Sequence, residues 1–242
     1  MNRVSTAWSN GNLWGEAYSI DPWGNLNQFG PYQNSQNQIV PFVEASQSLT
    51  ANTQNQVSAF CYDTAGNVLA EAGSQCPPAQ GSGFTYNAEN QLTFAGGTNY
   101  VYDGDGNRVE KYILNTQNQI VFQELYWYGG GSASLDETDG TGSTTNSAFN
   151  EYVFFDGART ARRNSGGVYY YFADHLGTSR EIVQSGSTTP CYDADFTPYG
   201  AEMVSTNTCQ QNYKFTGKER DTESGLDNFS ARYDASGAAR FH

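Results

Sequence analysis

The sequence predicts an all-β protein made of consecutive antiparallel β-hairpins, on the strength of a repeated turn signature, its composition and its interrupted helical stretches. The signature is an aromatic or apolar residue, Asp, two variable residues and Gly. It is clearest in YDTAGN (Tyr62 to Asn67) and YDGDGN (Tyr102 to Asn107), with a close variant in IDPWGN (Ile20 to Asn25) and a degenerate one in YNAENQ (Tyr86 to Gln91). Aromatic residues make up 14% of the 242 residues and charged residues only 15%, which suits pleated, half-buried strands. Every stretch able to propagate a helix is short and broken by Gly, Asn or Ser.

Turn chemistry explains the signature. The Asp side chain accepts hydrogen bonds from backbone N–H groups across the turn, and the Gly takes positive φ without a Cβ penalty. The flanking runs VSAFCYD and NVLAEAG, and TNYVYD and NRVEKYIL, read as hairpin arms. Each hairpin needs a neighbour to cover its apolar face. Asp21, Asp63, Asn87 and Asp103 are unevenly spaced, which argues for hairpins of unequal length rather than a strict solenoid.

Along the chain, NSQNQIVPFVEA (34–45) reads as a loop leading into a strand. GGGSASLDETDGTGSTTNS (129–147) reads as an exposed hairpin tip or flexible loop. NEYVFFDG, ARTARRN and VYYYFAD then read as strands, the last with aromatics on both faces of a covered sheet. The expected organisation is residues 1–150 as hairpin repeats and 151–242 as a second segment.

The formal net charge of −13, with 12 Lys and Arg against 25 acids, argues against binding a nucleic-acid backbone. Arg159, Arg162 and Arg163 form the one dense basic cluster and read as a solvated hairpin end. No apolar run reaches the roughly 18 residues of a membrane span, and the first 30 residues lack the apolar core of a signal peptide. Any export address therefore lies outside this chain or is read by another machine. Cys61 with Cys76 and Cys191 with Cys209 form two local pairs, each able to bracket a hairpin as a disulfide. The alternative is four buried, reduced thiols.

The candidate chemistry is sparse. DHLGTSR (Asp174 to Arg180) holds Asp, His and Ser, but neighbouring strand residues point to opposite faces, so Asp174 and His175 read as turn residues rather than parts of a triad. DGDGN (Asp103 to Asn107) opens like a calcium loop, yet Arg108 and Leu114 occupy the positions where such a loop needs Gly and an acid. Arg220 and Arg232, close in sequence to Asp221, Glu223, Asp227 and Asp234, read as salt-bridged strand ends. No catalytic residue, cofactor or metal is assigned. Trp8, Trp14, Trp23 and Trp127, with Tyr32, are candidate glycan-stacking residues, against the alternative that they pack the hairpins.

YYYFADHLGTSREI (Tyr169 to Ile182), FTPYGAE (Phe196 to Glu202) and KFTGKERDTESGLDNFSARYD (Lys214 to Asp234), with the closing Ala239, Arg240 and Phe241, resemble the repeat-associated core of the bacterial Rhs, or YD-repeat, family. The looser repeats at Asp21, Asp63 and Asp103 extend that resemblance upstream. It implies a large curled sheet, part of a shell that encloses a toxic C-terminal domain. Related shells are the C component of tripartite insecticidal toxins, polymorphic toxins of bacterial competition and the adhesive teneurins. The family's self-cleavage motif and toxin follow an Arg-Phe. Here the sequence stops at His242, with Ala239 in place of the usual Gly, so neither activity is carried over. The expectation is a non-enzymatic, secreted or cell-surface β-scaffold whose partners are a toxin domain or further copies joined at strand edges. The alternative is a carbohydrate-binding or adhesion module.

Overall fold

The computed structural model describes residues 3–10, 13–40, 47–71, 75–129, 133–141, 148–230 and 232–242. The chain is all-β and divides into two compact units. One holds Met1–Pro78, Phe196–Met203 and Ala235–Arg240. The other holds Ala79–Asp195, Val204–Asp234 and Phe241–His242.

The first unit contains β1 (Thr6–Trp8), β2 (Gly15–Ile20), β3 (Leu26–Pro31) and β4 (Gln47–Ser48), a four-stranded antiparallel sheet in chain order. The hairpin of β5 (Cys61–Tyr62) and β6 (Val68–Ala70) follows. Tyr18, Leu26 and Phe29 form its apolar core, against Ala7, Ile20, Tyr199 and Ala239.

The second unit is dominated by a twelve-stranded antiparallel sheet, also in chain order. Its strands are β7 (Thr85–Tyr86), β8 (Leu92–Ala95), β9 (Thr98–Tyr102), β10 (Arg108–Leu114), β11 (Ile120–Tyr128), β12 (Ser134–Asp139), β13 (Ala148–Phe155), β14 (Ala158–Asn164), β15 (Gly167–Ala173), β16 (Ser179–Gln184), β17 (Tyr192–Phe196) and β18 (Glu202–Asn207). β19 (Glu219–Arg220), β20 (Asp227–Asn228), β21 (Tyr233–Ala235) and β22 (Arg240–Phe241) form a further small sheet.

The turns follow one hydrogen-bond plan. In the Asp63 turn, Asp63 N–H donates to Asn67 O, and Gly66 N–H donates to Asp63 O. Asp63 Oδ1 accepts from the Ala65 and Asn67 N–H groups, and Oδ2 accepts from Asn67 Nδ2. The turns at Asp21 and Asp103 repeat every one of these bonds. The degenerate repeat at Asn87 shows a second chemical version, in which Asn87 Nδ2 donates to Gln91 Oε1 and Asn90 takes the positive φ of 60°.

That version recurs at Asn34, Asn52 and Asn115, which the Asp-based signature misses. Asn tolerates the left-handed conformation better than other non-Gly residues, so N-x-x-N-Q replaces D-x-x-G-N. These turns fall inside or beyond the long intervals left by the Asp positions and account for much of the uneven spacing. NSQNQ is therefore a turn rather than a loop; of the strand expected to follow it, Ile39 makes an isolated bridge to Gln33 and residues 41–45 lie outside the described residues.

Other expectations need correction. LDETD inside the presumed loop is strand β12, because Glu137 and Ser134 are buried against neighbouring strands. Of that segment, 130–132 and 142–147 lie outside the described residues. The aromatics of β15 are covered on one face only: Tyr169 and Tyr171 are buried, whereas Tyr170 and Phe172 are exposed. Cys61 bonds Cys76 and Cys191 bonds Cys209, so the bridges bracket the β5–β6 and β17–β18 hairpins, although of the four cysteines only Cys61 lies within a strand.

Candidate functional site

Strand alternation gives the twelve-stranded sheet one face of polar and aromatic side chains. Residues paired directly across the strands lie in rows on this face: Tyr100–Lys111–Glu124, Tyr126–Glu137–Asn150, Tyr152–Arg162–Tyr169 and Tyr171–Ile182–Tyr192. The segment from Tyr213 to Asp234 supplies the groups that complete them.

Arg108, which follows the Asp103 turn, is the hub and is 1% exposed. Its Nη1 donates to Asp221 Oδ2 at 2.6 Å and to Tyr233 Oη at 3.1 Å. Its Nη2 donates to Asp221 Oδ1 at 2.9 Å and to Tyr126 Oη at 3.3 Å, and lies 2.9 Å from Glu219 Oε2. The guanidinium carbon sits 4.9 Å from the Tyr100 ring centre and 5.2 Å from that of Tyr126. Lys111 Nζ reaches Glu124 at 3.1 Å and Glu219 at 3.2 Å. Glu137 accepts from Asn150 Nδ2 at 2.8 Å, and from the hydroxyls of Tyr152 and Tyr213 at 2.9 Å each.

The charges of Arg108, Lys111, Glu124, Glu219 and Asp221 survive burial because each is paired and hydrogen-bonded. Burial pushes Glu219 up, but Arg108 and Lys111 with their hydrogen bonds overcome it and hold the carboxyl at about 2. Glu137 has no cation at salt-bridge distance among the described residues. Burial, reinforced by Glu124 and Glu219, lifts it to about 8. The network therefore fastens the C-terminal segment to the sheet. Gly96, at φ 57°, allows the same approach: a Cβ there would overlap the Glu223 carbonyl.

Two cavities lie beside this network within the same unit. One, of about 520 Å³, is lined by residues including Lys111, Phe122, Phe149, Arg162 and Arg220. The other, of about 320 Å³, lies along Arg108, Arg159, Tyr213 and Thr216.

The residues singled out from sequence are dispersed. Asp174 spends its carboxylate on the N–H groups of Leu176 and Thr178, and His175 is exposed on the same turn rather than packed. Asp103 likewise caps its own turn. Arg220 pairs with Asp227 at 2.6 Å, but Asp221 turns to Arg108, and Arg232 stacks on Phe241.

The basic cluster is not a solvated hairpin end. Arg162 is buried over Tyr169 and Arg159 lies against Tyr213, leaving only Arg163 exposed. Trp14 is buried at 8% exposure and offers no open ring face. Trp8 stacks on Tyr32 at 5.1 Å, while Trp23 and Trp127 are 82% and 56% exposed. Sequence reasoning missed Arg108, Lys111, Glu124 and Glu137. The signal was present in their cross-strand alignment with tyrosines, which needs the register to be seen.

No family model matches the chain. It is 25% identical over 238 residues to Salivary gland surface protein 1 of Aedes aegypti, covering 90% of this chain but 7% of that protein. Among solved structures it is similar to a chain of the Photorhabdus luminescens Tc holotoxin pore, with a TM-score of 0.67, 18% identity, and coverage of 94% of this chain and 12% of that one. A chain of the TcdB2-TccC3 structure matches at a TM-score of 0.64, with 17% identity and the same coverage. The chain thus spans a small part of each of these proteins. It has the β fold of the Tc toxin chains, which supports the expected Rhs-like architecture.

Proposed function

We propose that the chain is a non-enzymatic segment of a Rhs-type β-scaffold that surrounds or presents a toxin domain, in a secreted or surface-located system of bacterial competition or contact. The fold likeness to Tc toxin chains over 94% of the sequence carries this reading. The buried network agrees with it, since its carboxylates and cations are spent on one another and on tyrosine hydroxyls. The surface name of the mosquito relative agrees with an external location.

The test is expression of the complete coding region followed by limited proteolysis. Encapsulation requires that polypeptide beyond residue 242 resist digestion until the scaffold is unfolded. A coding region that ends here, or a following polypeptide digested as fast as its free form, would overturn that role.

A second reading, glycan binding or adhesion, rests on the open rings of Trp23 and Trp127. Glycan-array binding lost in Trp23→Ala or Trp127→Ala would support it, and silence of the parent chain would remove it. The edge strands β7 and β18 are where copies would pair. A monomer by light scattering at high concentration would end that part.

A further inference from the structure

The smaller cavity is electrostatically odd for so acidic a chain. Its lining includes Arg108, Arg159 and Lys218, and Glu219 is the single acid among its described residues. That acid is already held by Arg108, Lys111 and the Tyr126 hydroxyl. Arg159 makes no ion pair among the described residues. Its Nη1 donates to the Gly217 carbonyl at 3.3 Å, and its guanidinium lies 3.3 Å from the Tyr213 ring centre and 4.8 Å from that of Tyr152. The Lys218 ammonium lies over the face of Phe229, at 5.6 Å, and makes no ion pair among the described residues.

Three buried polar atoms from the lining residues have no hydrogen-bond partner among the described residues: Arg108 Nε, Arg159 Nε and Thr216 Oγ1. Buried donors without acceptors are costly. Thr216 adds a second cost, since it is β-branched and holds φ at 50°. One kind of ligand suits this positive lining and its unmet donors: an anion with oxygen acceptors, small enough for about 320 Å³.

We propose that this cavity binds a carboxylate. Its planar pair of oxygens suits one guanidinium N–H and one hydroxyl, with the Lys218 ammonium supplying charge from the lining. The aromatic wall of Tyr213 and Phe154 takes the apolar stem that carries the group. The carboxylate comes either from a polypeptide side chain or from a small free acid. The assignment stands apart from the scaffold reading, because it concerns groups within one unit and no toxin is needed to test it.

The test titrates the full chain with Ac-Gly-Glu-Gly-NH2, its Gln counterpart and free glutarate, by calorimetry or NMR. The Glu peptide or glutarate should bind, and the Gln peptide should bind roughly tenfold more weakly or not at all. Preference for the peptide identifies a polypeptide as the source; preference for glutarate identifies a small acid. Thr216→Val keeps the branched shape and removes the hydroxyl, and Lys218→Gln removes a half-buried charge. Each should weaken binding by about tenfold while the thermal midpoint shows a folded chain. Arg163→Gln, at an exposed position of β14, should leave binding unchanged. Equal binding of the Glu and Gln peptides, absence of binding by any carboxylate, or affinity untouched by both cavity variants would overturn the proposal.

Discussion

The two faces of the twelve-stranded sheet reverse the usual assignment of polar and apolar side chains. The covered face buries Arg108, Lys111, Glu124, Glu137, Asn150 and Arg162 among tyrosines, whereas Val101, Trp127, Leu135, Val153, Tyr170 and Phe172 are exposed. Hydropathy alone would have turned this sheet over. What decides is whether the partners of the charged groups arrive together: Glu219, Asp221, Tyr213 and Tyr233 come from a segment about a hundred residues further on. Desolvation makes burial of a charge costly, and only simultaneous pairing and hydrogen bonding offset that cost.

Breaking the hub should have the largest effect. Arg108→Met removes the bidentate partner of Asp221 and leaves Lys111 as the remaining cation beside Asp221 and Glu219, and urea denaturation should show a loss of about 3–5 kcal/mol.

The pH dependence comes next. Glu137 is lifted from its usual 4.5 to about 8, so the folded chain holds this proton more tightly than the unfolded chain. Its stabilising contribution is complete below pH 4.5 and is lost as pH rises through 8. Asp221, which burial lifts to about 6 against the pull of Arg108, acts in the same direction over a lower range. The thermal midpoint should therefore fall between neutral and mildly alkaline pH, and Glu137→Gln should flatten that fall. An unchanged slope in the variant would place the titration elsewhere.

The adjacent glycines of the β8–β9 turn separate docking from turn strain. Gly97→Ala, at φ 88° with open space around it, should cost about 1–2 kcal/mol for the left-handed backbone alone. Gly96→Ala carries that cost and also strikes the Glu223 carbonyl, so its midpoint should drop further. Equal losses would mean that the C-terminal segment does not dock there.

The smallest effect belongs to the exposed pair. Arg163→Gln removes the ion pair with Glu151 at 67% and 42% side-chain exposure, worth about 0–1 kcal/mol. A loss as large as that of Arg108→Met would erase the contrast between the faces.

The sequence showed much of the fold and little of the site. D-x-x-G-N turns carry their own hydrogen-bond partners within five residues, so Asp21, Asp63 and Asp103 could be read directly. The N-x-x-N-Q turns carry theirs equally locally, and Asn34, Asn52 and Asn115 escaped only because the signature was written around Asp and Gly. Arg162 was misplaced for a different reason: three arginines in five residues look solvated, and nothing nearby reveals that Tyr169 and the Gln210 carbonyl will enclose one of them.

Local chemistry alone determined that this polypeptide reverses direction repeatedly and makes antiparallel strands, because the D-x-x-G-N and N-x-x-N-Q turns are closed by neighbours in the chain. Only the tertiary structure decided which face of the large sheet is covered and which charges are buried there. Those choices depend on the return of Tyr213–Asp234 to strands laid down far earlier, and no short-range pattern encodes that pairing.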